Sequence, residues 1–341
     1  MSESGVKISV IIPVHNSEKY LEKCLESIIS QKYQNWEAFV LDDASSDNSL
    51  QIMNEYAKRD DRIKVFHNSS NKGPGRTRNA AIEYVSNFSD GEVNRKEYIV
   101  FVDSDDWIED EYFLSIADVA NKKDTDVIFI DIVQEDILGN FIKNERMSIY
   151  KEKTIETIIR HQMTGKMPWG GVRKAVKKDL IINNNIKYSE AGIGEEALYS
   201  FKLLYYAKEI EFLEKGLYHY VIHPNSQSGS YNKDPYGPIC EELGKYMKKI
   251  NVYEKYEDTL VSFAFTALVV SIYRNIIYYG FRKSVKESRL ALRKYKANFG
   301  FKLDKDSLES RVRFMLPFAK MNLVLPIVLI GKVKNYLNSR G

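Results

Sequence analysis

The chain has 341 residues, 44% of them apolar, enough for one large domain with a smaller companion and a sizeable core. Its 50 Lys and Arg nearly cancel 47 Asp and Glu, and a net charge of +3 gives no ground for a nucleic-acid partner. Two cysteines, Cys24 and Cys240, lie too far apart in sequence to read as a disulfide framework or a cysteine metal site, and they fit a reducing cytoplasm. The apolar run over residues 8–14 follows Glu3 and Lys7 and lacks a small-residue cleavage site, so it reads as a strand and not a signal peptide. No stretch approaches the roughly 18 uninterrupted apolar residues of a membrane-spanning helix.

Residues 8–14 (ISVIIPV) are expected to form a first buried strand ending near Pro13, followed by the turn His15-Asn16-Ser17 with Ser17 as a helix cap. Tyr20, Leu21, Cys24, Leu25, Ile28 and Ile29 then recur at helical spacing and give one apolar face. The unit repeats: residues 36–41 as strand, Asp42-Asp43-Ala44-Ser45-Ser46-Asp47 as its polar exit, and Leu50, Ile52, Met53, Tyr56 and Ala57 as helix. Residues 63–67 give a third strand, and a helix beginning near Gly75 carries Ala80, Ala81, Tyr84 and Val85. The fourth strand, Tyr98-Ile99-Val100-Phe101-Val102, stops abruptly at Asp103, Asp105 and Asp106. Strand and helix alternating four times argue for an α/β fold with a mostly parallel, doubly wound sheet and helices on both faces.

Ligands bind such sheets at the carboxyl ends of the strands. His15 and Asn16, Asp42 and Asp43, Arg76 and Arg78, and Asp103 and Asp105 all follow a strand or open the next helix, so the fold brings them to one edge. Carboxylates packed as closely as Asp103 and Asp105 persist cheaply when a cation or donors such as ribose hydroxyls lie among them. The motif therefore reads as an Asp-x-Asp metal and nucleotide site, with a solvated acidic turn at a helix N-terminus as the alternative.

Residues 90–96 read as a surface insertion. A helix over 111–120, a strand over 127–132, a hairpin turn at Gly139-Asn140 and a helix capped by Thr154 and running through Met163 follow. Pro168-Trp169-Gly170-Gly171-Val172 breaks the pattern with two glycines that permit close backbone approach. Gly192-Ile193-Gly194 then runs into Glu195 and Glu196 at the start of a helix, where acids suit the helix dipole and where a carboxylate is also well placed to be a catalytic base. After a strand over 217–222, His223 opens a small polar loop (224–230) of the kind that closes over phosphates; His223 itself is either a ligand or a solvated loop histidine. From about residue 235 the pattern is helical, which divides the chain into 1–234 and a region 235–341 for acceptor, oligomer or membrane-surface contact. Leu260, Phe263, Ala264, Ala267, Leu268 and Ile272 mark an apolar helix buried in a small bundle or a homodimer interface. Beyond Glu309 there is no acid, and Arg311, Arg313, Lys320, Lys332 and Lys334 flank Phe314, Leu316, Phe318 and the apolar run 323–330. Residues 311–341 thus suit an anionic membrane surface, at the inner face of the plasma membrane, or a helix packing on its own domain.

Taken in order, Ser9-Val10-Ile11-Ile12-Pro13-Val14-His15-Asn16, Leu41-Asp42-Asp43-Ala44-Ser45-Ser46-Asp47, Asn71-Lys72-Gly73 with Arg78-Asn79, and Phe101-Val102-Asp103-Ser104-Asp105-Asp106 resemble the family 2 inverting glycosyltransferases of the GT-A fold, of the bacterial surface-polysaccharide type. Gly194-Glu195-Glu196 resembles the family's later acidic pair and residues 220–228 its nucleotide-side loop. The resemblance implies that Pro13, His15 and Asn16 floor the nucleotide pocket, that Asp43 accepts from the base with Arg78 lining the same pocket, and that Asp103 and Ser104 serve the ribose side. It implies Mn²⁺ or Mg²⁺ on Asp105, with Asp103 and His223 in its shell, and Glu196 as general base. Position 196 is Glu where the family usually has Asp, so Glu195 stands as the fallback. The implied reaction is hexosyl transfer from a nucleotide sugar, a UDP-sugar by family habit, to a hydroxyl of a glycan or lipid-linked glycan.

Three competitors are weighed against this. A nicotinamide-binding enzyme needs Gly-x-Gly-x-x-Gly after its first strand, where this chain has Pro13-Val14-His15-Asn16. A metal-dependent phosphatase needs a lysine and threonine partner set that the sequence does not place. A non-catalytic sugar-nucleotide-binding or scaffold protein predicts binding without turnover.

Overall fold

The computed structural model describes residues 5–88, 96–190, 194–223 and 237–338, with side chains to residue 333 in the last helix. It divides into two compact units, one of residues 1–155 with 169–226 and one of residues 156–168 with 227–341. The segment 156–168 thus leaves the first unit and returns to it.

The first unit runs β1 (Lys7–Val14), α1 (Leu21–Ile29), β2 (Trp36–Asp42), α2 (Ser49–Arg59), β3 (Ile63–His67), α3 (Pro74–Asn87), β4 (Glu97–Phe101), β5 (Trp107–Ile108), α4 (Tyr112–Lys122), β6 (Val127–Asp136) and β7 (Phe141–Glu145). After α5 (Ile155–Thr164), which belongs to the second unit from Glu156 on, it resumes with β8 (Lys174–Lys177), α6 (Lys178–Asn183), α7 (Glu195–Tyr206) and β9 (Ile210–Ile222). These nine strands form one sheet in the order β3-β2-β1-β4-β8-β6-β9-β5, with β7 paired to β6.

β1 to β4 are mutually parallel. All but one of the eight residues of β1 are buried, as expected of a strand covered on both faces, and Leu21, Cys24, Leu25 and Ile28 of α1 supply part of that cover. Strand order reverses at β1, with β2 and β3 to one side and β4 to the other. A crevice therefore opens above the carboxyl ends of β1 and β4, the place where open α/β sheets bind ligands.

The second half of the sheet is mixed. β8 runs antiparallel to both β4 and β6, β9 parallel to β6, and β5 antiparallel to β9. Neither β5 nor β8 was expected, because two and four residues are too few to show a period. Ser17 does not cap α1. Its carbonyl accepts from the N–H groups of Tyr20 and Leu21, and its hydroxyl meets that of Ser104 at 2.7 Å, which ties the end of β1 to the end of β4. Of the insertion over 90–96, residues 90–95 lie outside the described residues.

The second unit comprises α5, α8 (Gly237–Lys249), α9 (Tyr253–Tyr278), α10 (Phe281–Asn298), α11 (Ser310–Lys320) and α12 (Val324–Asn338). α9 is its core. The other C-terminal helices pack around it, and Leu260, Val261, Phe263, Phe265, Leu268, Val269 and Ile272 are buried on all sides of it. Polar residues interrupt its apolar run, yet its best 18-residue stretch has a mean hydropathy of 1.7, so by length and composition it is able to cross a bilayer. Two-thirds of that stretch is buried inside the unit, which is the bundle alternative of the sequence reading. Cys24 and Cys240 are both buried and free of any disulfide.

Candidate active site

At the exit of β2 the Asp43 side chain is 4% exposed and accepts three hydrogen bonds. Oδ1 takes Asn68 Nδ2 at 2.8 Å and the Lys72 N–H at 2.9 Å, and Oδ2 takes the Gly73 N–H at 2.8 Å. Gly73 has φ +83°, a left-handed conformation that glycine adopts at little cost, and it turns the loop directly into α3. His15 lies against the same corner. Its Nδ1 donates to the Asp43 carbonyl at 2.9 Å, so Nε2 is left to accept from Asn71 Nδ2 at 3.0 Å. Asn16 (φ +52°) accepts the Ser46 N–H at 2.8 Å through Oδ1, and half-exposed Pro13 closes the end of β1. In this wall the Asp43 carboxylate is met by uncharged donors, two of them backbone N–H groups.

The end of β4 is built differently. Asp106 is 2% exposed, takes the Tyr218 hydroxyl at 2.6 Å and the Val221 N–H at 2.8 Å, and so fastens β4 to β9. The same Tyr218 oxygen accepts the Asp103 N–H at 3.1 Å. Burial, then the charges of Asp103 and Asp105, push the Asp106 carboxyl well above the usual carboxylate range. Asp105 is half-exposed and is raised by burial and by Asp103, with His223 opposing. Ser104 is occupied with Ser17.

Asp103 faces Arg78, whose guanidinium donates to Oδ1 at 2.8 Å. Arg78 is 7% exposed. Burial opposes its charge, but Asp103, with Tyr188 and Glu196, raises it overall. Its other terminal nitrogen stands 3.8 Å from Glu195 Oε1 and 3.9 Å from Glu196 Oε1, so one guanidinium spans Asp103 and the acidic pair. Among the described residues no hydrogen bond or ion pair joins Arg78 to Asp43; its guanidinium faces Asp103, Glu195 and Glu196. Asn79 secures this arrangement by exchanging hydrogen bonds with the Tyr188 backbone at 2.8 and 3.1 Å.

Glu195 and Glu196 open α7 behind Gly194, which is left-handed at φ +86°. The acids sit where the helix dipole favours negative charge. Glu195 is nevertheless pushed up to about 7, by burial first and the charge of Glu196 second. Glu196 Oε1 accepts the Gly171 N–H at 3.0 Å, while Oε2 has no hydrogen-bond partner among the described residues. Gly171 allows that approach because a Cβ there would stand 2.6 Å from the Tyr188 hydroxyl and 3.2 Å from the Phe101 ring.

Asp105 and His223 fit a divalent cation. His223 Nε2 is buried without a well-aligned hydrogen bond, 3.2 Å from Asp105 Oδ2, and its ring packs on Tyr20 at 4.5 Å. A carboxylate disfavoured by burial beside an orphaned imidazole nitrogen is what a cation corrects, and Asp103 keeps one oxygen clear of Arg78. Among the described residues no three His, Cys, Asp or Glu side chains enclose a point, so the protein supplies an incomplete shell of the kind that phosphates and water complete. The remainder of the phosphate-side loop, 224–230, lies outside the described residues.

Asp106 reads from the sequence as a support residue at the start of the turn after β4, and Tyr218 only as part of a strand. Nothing in the sequence reading singles out Lys174 or Arg173, yet Lys174 is 1% exposed and Arg173 is held bidentately by Glu145 at 3.1 and 2.9 Å. Alternation alone assigns neither to the interior.

The model of glycosyl transferase family 2 matches residues 9–178, which ends before Glu195 and Glu196. The glycosyltransferase EpsH of Bacillus subtilis is 29% identical over 263 residues, covering 75% of this chain and 73% of that protein. Glycosyltransferase GlyG of Streptococcus pneumoniae serotype 4 is 30% identical over 223 residues, covering 62% and 70%. Among solved structures, residues 1–349 of TarS from S. aureus, in complex with UDP-GlcNAc, align with a TM-score of 0.70 at 22% identity over 97% of this chain and 92% of that one. The mannosyltransferase PcManGT from Pyrobaculum calidifontis, in complex with GDP-Man and Mn²⁺, aligns with a TM-score of 0.51 at 13% identity, over 97% and 87%. The crevice at the β1–β4 reversal and these relatives lead to one assignment: the chain belongs to glycosyltransferase family 2 and has the GT-A fold.

Proposed function

We propose that this transferase moves a sugar from a UDP-sugar to a hydroxyl of a glycan or lipid-linked glycan in cell-surface polysaccharide synthesis, by a single displacement that inverts the anomeric centre. The observation that carries this reading is the setting of Glu196. One carboxylate oxygen is fixed by a backbone N–H, the other has no protein donor among the described residues, and Arg78 links the carboxylate to Asp103. A carboxylate so placed can take the acceptor's proton as its oxygen attacks. Glu195, pushed up to about 7 by burial and by Glu196, is the alternative base.

The wall of Pro13, His15, Asn16 and Asp43 receives the base, and Asp103 and Ser104 border the ribose. Arg78 neutralises Asp103 and the acidic pair in a buried place where three carboxylates would otherwise repel one another. Asp105, His223 and the second oxygen of Asp103 would hold Mn²⁺ or Mg²⁺, which when bound supplies Lewis-acid neutralisation of the leaving diphosphate. That TarS holds UDP-GlcNAc on a similar fold supports a UDP-linked donor.

The same reading places the protein at the inner face of the plasma membrane. Phe314, Met321, Leu325, Leu329 and Val333 are exposed in a segment that carries Arg311, Arg313, Lys320 and Lys332 and no acid beyond Glu309. Full-length protein is expected to cosediment with anionic vesicles and to lose that binding when residues 311–341 are removed; protein that never sediments removes the membrane from the proposal.

The principal experiment incubates purified protein with Mn²⁺ and a panel of nucleotide sugars, following nucleoside diphosphate release with and without glycan acceptors. Release from a UDP-sugar that rises with acceptor is the expected result. Nucleotide binding without release from any donor overturns the reading in favour of a binding protein.

A further inference from the structure

Lys174 carries charge where charge is expensive. It is 1% exposed, at the start of β8, and burial pushes its ammonium down to about 8 even though the charge of Glu196 favours protonation. An ammonium taken out of water costs several kcal/mol unless its partners compensate. Among the described residues Nζ donates to the Gly170 carbonyl at 2.9 Å and to Ser200 Oγ at 3.1 Å and stands 5.9 Å from the centre of the Phe129 ring. The Arg173 N–H, at 3.2 Å, also reaches the Gly170 carbonyl.

That carbonyl and the N–H of Gly171 belong to one peptide group. Peptides among the described residues are trans, so the C=O and N–H of this group point in opposite directions from one rigid plane. Lys174 holds one end, and Glu196 Oε1 receives the other at 3.0 Å. A cation at a carbonyl oxygen polarises the amide and strengthens its N–H as a donor. Gly170 sits at φ +133°, and a Cβ on it would stand 2.4 Å from the Arg173 guanidinium and 3.3 Å from Glu196 Oε2. Of the other two cations near Glu196, Arg173 is held by Glu145, while Arg78 pairs with Asp103 and stands 3.9 Å from the Glu196 oxygen that the Gly171 N–H holds.

We propose that Lys174 is a positioning residue for Glu196, acting through the Gly170–Gly171 peptide: it orients and polarises the N–H that pins one carboxylate oxygen and so presents the other to the acceptor. This rests on the assignment of Glu196 as base. Lys174 is 1% exposed and presents almost no surface to a ligand, so its effect belongs in turnover and not in nucleotide affinity.

The test is a cycle in the full chain of Lys174→Met, Glu196→Gln and the double variant, with Lys174→Gln alongside. Met is close in length and removes the charge, and apolar replacement of a buried charge is often tolerated; Gln keeps a donor for the Gly170 carbonyl. Melting temperature, UDP dissociation constant, kcat and acceptor KM are measured for each. Lys174→Met is expected to keep its melting temperature and UDP affinity and to lose roughly 10- to 100-fold in kcat, the range for residues that orient a reacting ligand from behind. Lys174→Gln should recover part of that loss. The double variant should be no slower than Glu196→Gln alone, because Lys174 acts only through Glu196. Wild-type kcat in both lysine variants, or losses that multiply in the double variant, overturns the proposal and leaves the base assignment standing. A fully active Glu196→Gln enzyme instead overturns the base assignment.

Discussion

The two walls of the crevice are made by opposite means. On the β2 side, Asp43 spends its charge on Asn68 and the N–H groups of Lys72 and Gly73, and His15 uses both ring nitrogens on neutral partners. On the α7 side, Asp103, Arg78, Glu195, Glu196 and Lys174 stand within one charged, mostly buried network. The first arrangement fixes a shape. The second fixes a proton inventory, and low polarity makes each of its interactions stronger and each loss more costly. A pocket that must recognise one nucleotide gains from a wall of fixed shape, whereas a site that must accept a proton needs groups whose ionisation the surroundings control.

Substitutions at the acids that open α7 should break turnover and spare binding, and those on the β2 side should do the reverse. The largest effect is expected from Glu196→Gln, with transfer falling roughly 10²- to 10⁴-fold while UDP affinity, measured by calorimetry, stays within about twofold. Transfer at the wild-type rate would remove the contrast altogether. Next is Gly171→Ala. Its Cβ collides with the Tyr188 hydroxyl and the Phe101 ring, so a stability loss of about 1–3 kcal/mol in denaturant titration and a matching displacement of Glu196 are expected. An unchanged midpoint would mean that the loop gives way freely.

On the β2 side, Asp43→Ala leaves the Lys72 N–H without its acceptor, while the Gly73 N–H keeps Asn71 Oδ1 and the Asn68 amide keeps Thr77 Oγ1. The roughly 1–3 kcal/mol that an unpaired buried donor costs should appear as lost stability in denaturant titration, and UDP affinity should fall as the wall loses its shape. Residual turnover at saturating donor should be close to that of the wild type.

The smallest effect sharpens the electrostatic half of the comparison. Glu195 titrates near 7 in the folded protein against an ordinary 4.5. The folded state therefore holds a proton that the unfolded chain releases, and stability falls as pH rises from 4.5 to about 7. Glu195→Gln should match the wild type near pH 5 and exceed it above pH 7 by on the order of 2–3 kcal/mol. Parallel melting-temperature curves for the two proteins across that window would mean that Glu195 is ionised throughout.

How much of this was legible in the chain follows from period and punctuation. The four β-α units announce themselves because strands buried on both faces must be apolar throughout, as β1 is, and their exits must be polar. Family motifs located Asp43, Asp103 and Asp105, and the glycines before Glu195 and at 170–171 marked places of close backbone approach. Residue type could not show the partner of Arg78, which sits one turn into α3 and reaches Asp103 and α7 only because β4 lies beside β1. Position after Asp105 marks Asp106 only as a support residue at the start of the next turn; the tyrosine that holds it comes from a strand 112 positions on.

The sequence by itself determined the parallel half of the sheet, the edge at which polar groups gather and the family to which the chain belongs, because each depends on local pattern and short-range turn chemistry. Tertiary structure alone decided the mixed half of the sheet, the span of Arg78 and the burial of Lys174. These arise where β8, arriving late in the chain, inserts between β4 and β6 and carries a lysine that would elsewhere face water under the peptide that holds Glu196. Long-range pairing sets which neighbours a charge meets, and for a buried charge the neighbours determine what it does.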